Sequence, residues 1–391
     1  MTLQELMTRW NGYQIEMRRW FHQHPEESTK EVRTAERIRA ELDRAGIPWR
    51  PCGLGTGTLA RIEGAQPGRT ILLRGDIDAL SVNEETGLPY ASEVPGVMHA
   101  CGHDCHISML LTAAMIVNEI RDRLKGTIVF AFQPAEELGL GARAMIEEGA
   151  LEGVDACFGM HVWSDYPAGT VALRKGPMMA SGDQFKIHVR GKSTHGAQPQ
   201  LGADALIMGA AIAQNLQTIV SRETYPGDTA VVTVGKFHSG TRFNVVAGTA
   251  ELEGTTRTFS PAVRDRFEEQ IPRIARSTAE AMRGTADVEY LRIVPVTVND
   301  PGMIDVVTGA AGKIFGDKGV IEADLQMGGE DFAFYQEKVP GAVVLLGVRN
   351  EACDAVWPQH HGCYKVDESV LVKGAALHVQ TALDFLGVDL Q

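Results

Sequence analysis

Residues 71–75 read ILLRG, and the acidic residues Asp76 and Asp78 follow at once. A near-continuous apolar run of this length, without alternation, fits a strand buried on both faces. Three more runs share the pattern: TIVFAFQ at 127–133, DACFGMHV at 155–162 and AVVLLG at 342–347. Helical patterns lie between them. The stretch DCHISMLLTAAMIVNEI at 104–120 sets Met109, Ala113, Ile116 and Ile120 on one helical face, and Lys30 to Ala45 reads as an amphipathic helix closed by Gly46 and Pro48. Buried strands alternating with helices predict an α/β fold, with a central, mostly parallel sheet covered by helices on both faces.

Between 183 and 296 the grammar changes. FKIHVRG alternates like a half-buried strand, GADALIMGAAIAQNLQTIV is a helix, AVVTVGKFHSG and GTAELEGTTRTF are strands, VRDRFEEQIPRIARSTAEAM is a helix and DVEYLRIV is a last strand. The order β-α-β-β-α-β is the ferredoxin-like, split-βαβ arrangement of an α+β domain. The expected organisation is therefore a discontinuous catalytic, metal-binding domain at 1–182 and 297–391, interrupted by a satellite domain at 183–296. A length of 391 residues accommodates two or three domains at roughly 150 residues each.

Composition narrows the function. Hydrophobic residues make up 44% and charged residues 22%, which excludes disordered, coiled-coil and collagen-like chains. The formal net charge of -13 repels phosphate backbones and anionic membranes, so no nucleic-acid or membrane partner is expected. Six cysteines are too few for a disulfide framework, and Cys101-x-x-x-Cys105 is not a redox CxxC. The N-terminal 25 residues carry charges throughout and no apolar run reaches membrane-spanning length, so the protein is read as soluble and cytoplasmic.

The chemistry gathers where the apolar runs end, the place where α/β sheets bind ligands. Asp76 and Asp78 follow the first run, Glu136 and Glu137 the second, His161 closes the third, and His360-His361 lies beyond the fourth. The segment before the 104–120 helix adds His99, Cys101, His103, Asp104, Cys105 and His106. In a looped segment, residues i and i+2 such as Cys101 and His103 can face one ion. Thiolate, imidazole and carboxylate together suit zinc, with manganese, cobalt or nickel as further candidates, and do not suit calcium or magnesium. Of two adjacent glutamates, one can coordinate while its neighbour takes a proton from activated water, which describes a hydrolase. Each feature alone has a plainer meaning. Glu136-Glu137 could be a solvated helix N-terminus, and Cys52, Cys157, Cys353 and Cys363 buried or incidental thiols.

The motifs RRWFHQHPEES at 18–28, LLRGDIDAL at 72–80, GVMHACGHDCH at 96–106, FAFQPAEE at 130–137, GMHV at 159–162, GKSTHGAQP at 191–199, FNVV before GTTRTF, and MGGEDFAFY at 327–335 run in order along nearly the whole chain. So assembled, the sequence resembles the M20 metallopeptidase family, and within it the amidohydrolase branch of hippurate hydrolases, N-acyl-amino-acid hydrolases and auxin-conjugate hydrolases. The resemblance implies two divalent ions held by Cys101, His103, Glu137, His161 and a late histidine. Spacing to Tyr364 and Asp367 favours His360 over His361. It also implies Glu136 as general base and then acid, Asp78 orienting a ligand imidazole, His195 stabilising the oxyanion, Asn244 and Arg257 on the substrate side, and a homodimer or higher homo-oligomer through the inserted lid domain.

Two motifs depart from relatives, which continue the late histidine as His-Asn-Pro or His-Ser-Pro and carry proline where Ala247 stands here. Gly328-Gly329 before Glu330 and Asp331 reads either as helix-entry amides for a carboxylate or as acidic helix caps. The implied activity is hydrolysis of N-acyl amino acids. The alternatives are an N-acetyl-diamino-acid deacetylase, a dipeptidase or carboxypeptidase, or a silent metal-binding or thiol-switch scaffold using Cys101 and Cys105.

Overall fold

The computed structural model describes residues 1–390. The chain forms two compact units, one of Met1–Gly176, Val298–Asp324 and the chain from Asp331 onward, the other of Pro177–Thr297 and Leu325–Glu330.

The first unit is built on an eight-stranded sheet. Its strands run in the order Trp49–Pro51, Thr58–Glu63, Lys125–Gln133, Gln66–Asp76, Ala156–Pro167, Gly341–Arg349, Val171–Leu173 and Val320–Glu322. The four apolar runs are its four central, mutually parallel strands, in register at Ile71↔Ile128, Ile71↔Ala156 and Leu345↔His161. Leu72, Leu73, Phe130, Phe158 and Leu345 are fully buried, because helices cover the sheet and each face needs apolar side chains. The marginal strands Trp49–Pro51 and Thr58–Glu63 join antiparallel.

The helix expected at 104–120 spans His103–Ile120 and is buried on every side as far as Val117, not on one face alone. Leu3–Gln23 and Leu371–Leu386 pack against it, so a stripe would leave apolar surface unpaired. Leu3–Gln23 opens with a capping box in which Thr2 Oγ1 accepts from the Glu5 amide and Glu5 accepts from the Thr2 amide.

His378, on Leu371–Leu386, is fully buried edge-on to Phe158, and burial pushes its imidazole down to about 3. A histidine held neutral by folding contributes stability above its unfolded value near 6.5 and loses it as pH falls toward the folded value. Between about pH 7.5 and pH 5 that loss is about 2 kcal/mol. Denaturant titrations of wild type and His378→Leu at the two pH values should differ by this amount, and equal acid sensitivity would refute the assignment.

The second unit contains a four-stranded antiparallel sheet in the order Thr285–Val294, Ser181–Arg190, Thr249–Thr258, Ala230–Ser239. Helices Ala205–Asn215 and Pro261–Ala281 cover one face. Phe185, Ile187, Met208, Ile212, Leu252, Phe267 and Ile271 form its core. This is the β-α-β-β-α-β order read from the sequence. Asp204 caps the first helix and Ser260 the second. Buried Asp183 accepts a forked pair from Arg264 at 2.9 and 2.7 Å. Leu325–Glu330 joins this unit through backbone bonds between Gln326 and both Met178 and Ala180.

Candidate active site

The carboxyl ends of the central strands bring one cluster together. Cys101 Sγ, His103 and His161 have ligand atoms within 4.8 Å of one another, as do Cys101, Glu137 and His360, and likewise His103, Glu136 and Glu137. The shared members make this a single site spanning 260 positions of sequence.

Local backbone explains how Cys101 and His103 converge. Gly102 between them has φ +87°, and a Cβ there would lie 2.4 Å from Val162 Cγ2, so glycine is required by conformation and by space. His103 then opens the long helix. Its Nδ1–H donates to Asp78 Oδ1 at 3.3 Å, while Asp78 Oδ2 accepts from Ser28 Oγ at 2.6 Å and the Glu137 amide at 3.1 Å. His103 Nε2 is left buried without a hydrogen-bond partner among the described residues, and so is Glu137 Oε1. His161 Nδ1–H donates to the Val162 carbonyl at 2.7 Å, turning Nε2 to within 3.4 Å of Cys101 Sγ.

Of the late pair, the structure brings His360 in. Its Nε2 lies 3.4 Å from Glu137 Oε1, and its amide donates to the Ala100 carbonyl at 2.8 Å with φ +65°. His361 instead stacks on Trp357 at 4.5 Å and accepts from the Cys363 amide. Glu136 and Glu137 occupy a turn directly after Lys125–Gln133, ahead of the helix at Gly141, so they are not a helix N-terminus.

Electrostatically the cluster is built for a cation. Burial pushes the His103 imidazole down, yet Asp76, Asp78 and Glu137 together raise it to about 10. Burial pushes the Cys101 thiol well above its usual range, and Glu137 and Glu136 add to the shift. A thiolate here therefore needs a compensating positive ion. With two unsatisfied donor atoms aimed inward and a soft-plus-hard donor set, these residues fit divalent metal ions.

Other residues of metal-binding type serve elsewhere. Asp104 accepts from His22 Nδ1 at 2.7 Å and pairs with Arg18 Nε at 3.2 Å. Burial opposes its charge, but Arg18 and His22 hold it well below the usual carboxylate range. Cys105 is fully buried and burial raises its thiol well above the ordinary value, which argues against a thiol switch. Burial lowers His99 to about 4.

Asp331 does not cap Ala333–Gln336, the helix that follows it, but reaches a first-turn amide of Gly141–Glu147. Its carboxylate is buried and accepts from Arg74 at 2.8 Å, Gln133 at 2.8 Å and the Ala142 amide at 3.0 Å, and its own amide donates to Glu136 Oε1 at 3.4 Å. No local pattern announces this network, because Arg74 lies 257 positions away.

In the second unit, His195 is exposed on a loop bridged to Val245, and its Nδ1 accepts from the Ala197 amide. The Gly196 amide donates to the Asn244 carbonyl at 2.8 Å, so His195 and Asn244 belong to one pair of loops. Arg257 is not with them. It lies at the far end of Thr249–Thr258, paired with Gly182 and Val231, about 26 Å along the strand from Thr249.

The profile of peptidase family M20/M25/M40 matches residues 72–384. The chain belongs to this family. Among M20 relatives, the N-acetyl-L-cysteine deacetylase of Bacillus subtilis (strain 168) is 41% identical over 94% of this chain and 87% of its own length. Thermostable carboxypeptidase 1 of Saccharolobus solfataricus is 39% identical over 95% of each chain. The crystal structure of the Bacillus subtilis YXEP protein, a dinuclear metal binding peptidase from the M20 family, superposes with a TM-score of 0.86 at 36% identity, covering 98% of this chain and 100% of that one. Among the described residues no helix is long and apolar enough to cross a membrane.

Proposed function

We propose that this M20 protein is a metal-dependent amidohydrolase that cleaves the amide bond of N-acyl amino acids. The observation that carries the reading is the meeting of Cys101, His103, Glu137, His161 and His360 beside Glu136, a carboxylate adjoining a complete ligand set. The relatives add a deacetylase of an N-acetyl amino acid and a carboxypeptidase, so cleavage of a peptide amide is the second reading.

Two divalent ions held by the five ligands would polarise the scissile carbonyl and acidify the attacking water. Glu136 takes the proton from that water and later delivers it to the leaving nitrogen. Asp78 holds His103 in the tautomer that presents Nε2, and the Val162 carbonyl does the same for His161. His195 stabilises the oxyanion, and Asn244 and Arg257 bind the substrate's polar ends. The separation of Arg257 from the His195–Asn244 loops supports a homodimer in which two copies of the 183–296 domain serve each substrate. In this reading that domain is the lid and dimerisation module of a catalytic domain at 1–182 and 297–391. The thiolate and imidazoles among the ligands favour zinc and the carboxylates admit manganese, with cobalt and nickel as substitutes. The six free cysteines fit a cytoplasmic setting.

The test is a panel of N-acetyl and N-benzoyl amino acids and dipeptides, assayed for amino-acid release by enzyme reconstituted with zinc or manganese. A chelator should abolish release and added metal restore it. Hydrolysis that survives complete metal removal would sink the reading, and preference for dipeptides would move it to the carboxypeptidase alternative.

A further inference from the structure

Asp76, His103 and His106 also have ligand atoms within 4.8 Å of one another, so the site contains one more buried imidazole than the five-ligand reading uses. Its hydrogen bonds decide what it does. The Val162 amide donates to His106 Nε2 at 2.9 Å, which requires that nitrogen to be unprotonated. The proton is then on Nδ1, which donates to Asp76 Oδ1. Both ring nitrogens are engaged, and neither has a lone pair left for an ion. Asp76 is itself anchored by Arg74 Nη1, which donates to Oδ2 at 2.6 Å.

The residue that His106 grips is the one that sets His161, through two consecutive peptide planes that share the Val162 Cα. His161 Nδ1–H donates to the Val162 carbonyl at 2.7 Å, so the amide of Val162 points to His106 and its carbonyl receives His161. The His106 ring also packs against both of the imidazoles read as ligands, edge-on to His161 at 4.6 Å and stacked on His103 at 5.3 Å.

We propose that His106 is a positioning residue, not a metal ligand: held by Asp76, it anchors the backbone of Val162, whose carbonyl on the next peptide plane fixes the tautomer in which His161 presents Nε2 to the metal site. This deepens the metal-site reading and rests on it only for the ligand role of His161.

The test uses the full chain with nitrogen-labelled histidine, metal-free, read by long-range proton–nitrogen NMR, with His106→Gln and His161→Gln for assignment. The wild-type protein should show both His106 and His161 protonated at Nδ1 and bare at Nε2. His106→Phe, which removes both hydrogen bonds but keeps a ring, should give His161 mixed tautomers and weaken binding of one of two added zinc ions by about 10–100-fold. His106→Gln, which can still accept from the Val162 amide and donate to Asp76, should recover most of that loss. A protonated Nε2 on His106 in the wild-type protein would overturn the proposal without any variant. So would a His106→Phe protein that is less stable yet keeps the His161 tautomer and full zinc affinity. The ligand reading fails separately, if His161→Gln binds both zinc ions unchanged; the tautomer measurement still decides the role of His106.

Discussion

An E136Q protein is expected to retain its divalent metal and lose about 10²–10⁴-fold in kcat, with KM little changed. Glutamine keeps the size of the side chain and an oxygen that can still accept from the Asp331 amide, but it cannot carry a proton from water to the leaving nitrogen. In the proposed assignment the groups Cys101–His103–His161 and Cys101–Glu137–His360 hold the metal without Glu136, so metal should stay. Elemental analysis of the purified variant beside steady-state kinetics checks both halves. Loss of an ion together with activity would make Glu136 a ligand, and near wild-type turnover would remove it from the proton path.

Arg74→Met is expected to destabilise the first unit by about 3–5 kcal/mol, since it strips the partner from two buried carboxylates. Arg74 is fully buried and forks three ways, Nη1 to Asp76 at 2.6 Å, Nη2 to Asp331 at 2.8 Å and Nε to Gln133 at 3.0 Å. Burial raises the Asp76 carboxyl, but Arg74 with His103 and His106 holds it well below the usual range. Arg74→Lys should recover only part of the loss, because one ammonium cannot reproduce the planar fork. The double variant Arg74→Met/Asp331→Asn should cost less than the sum of the single changes, because the second removes a charge the first left unpaired. Denaturant unfolding reads all three, and a loss under about 1 kcal/mol for Arg74→Met would show that the network does not carry the charge balance described.

Much of this was legible in the linear chain. Strands such as Leu72–Leu73 and Val344–Leu346 are buried on both faces, so they had to be continuous apolar runs. The site was legible because parallel strands all deliver their carboxyl ends to one edge. The all-round burial of His103–Val117 was not, since periodicity registers one face while neighbouring helices decide how many faces are covered. Nor was Asp331, whose partner Arg74 sits on a distant strand.

The sequence by itself determined the fold class, the strand ends that carry the chemistry and the residue types of the ligand set, because these depend on local hydrophobic pattern and donor chemistry. Spacing favoured His360 over His361, and the tertiary structure supplied the directions, a positive φ turning the first imidazole toward Glu137 and stacking on Trp357 turning the next away. Only that structure engaged both nitrogens of His106 and set Arg257 a strand's length from His195. Those outcomes depend on direction and distance between segments far apart in the chain, which no local pattern encodes.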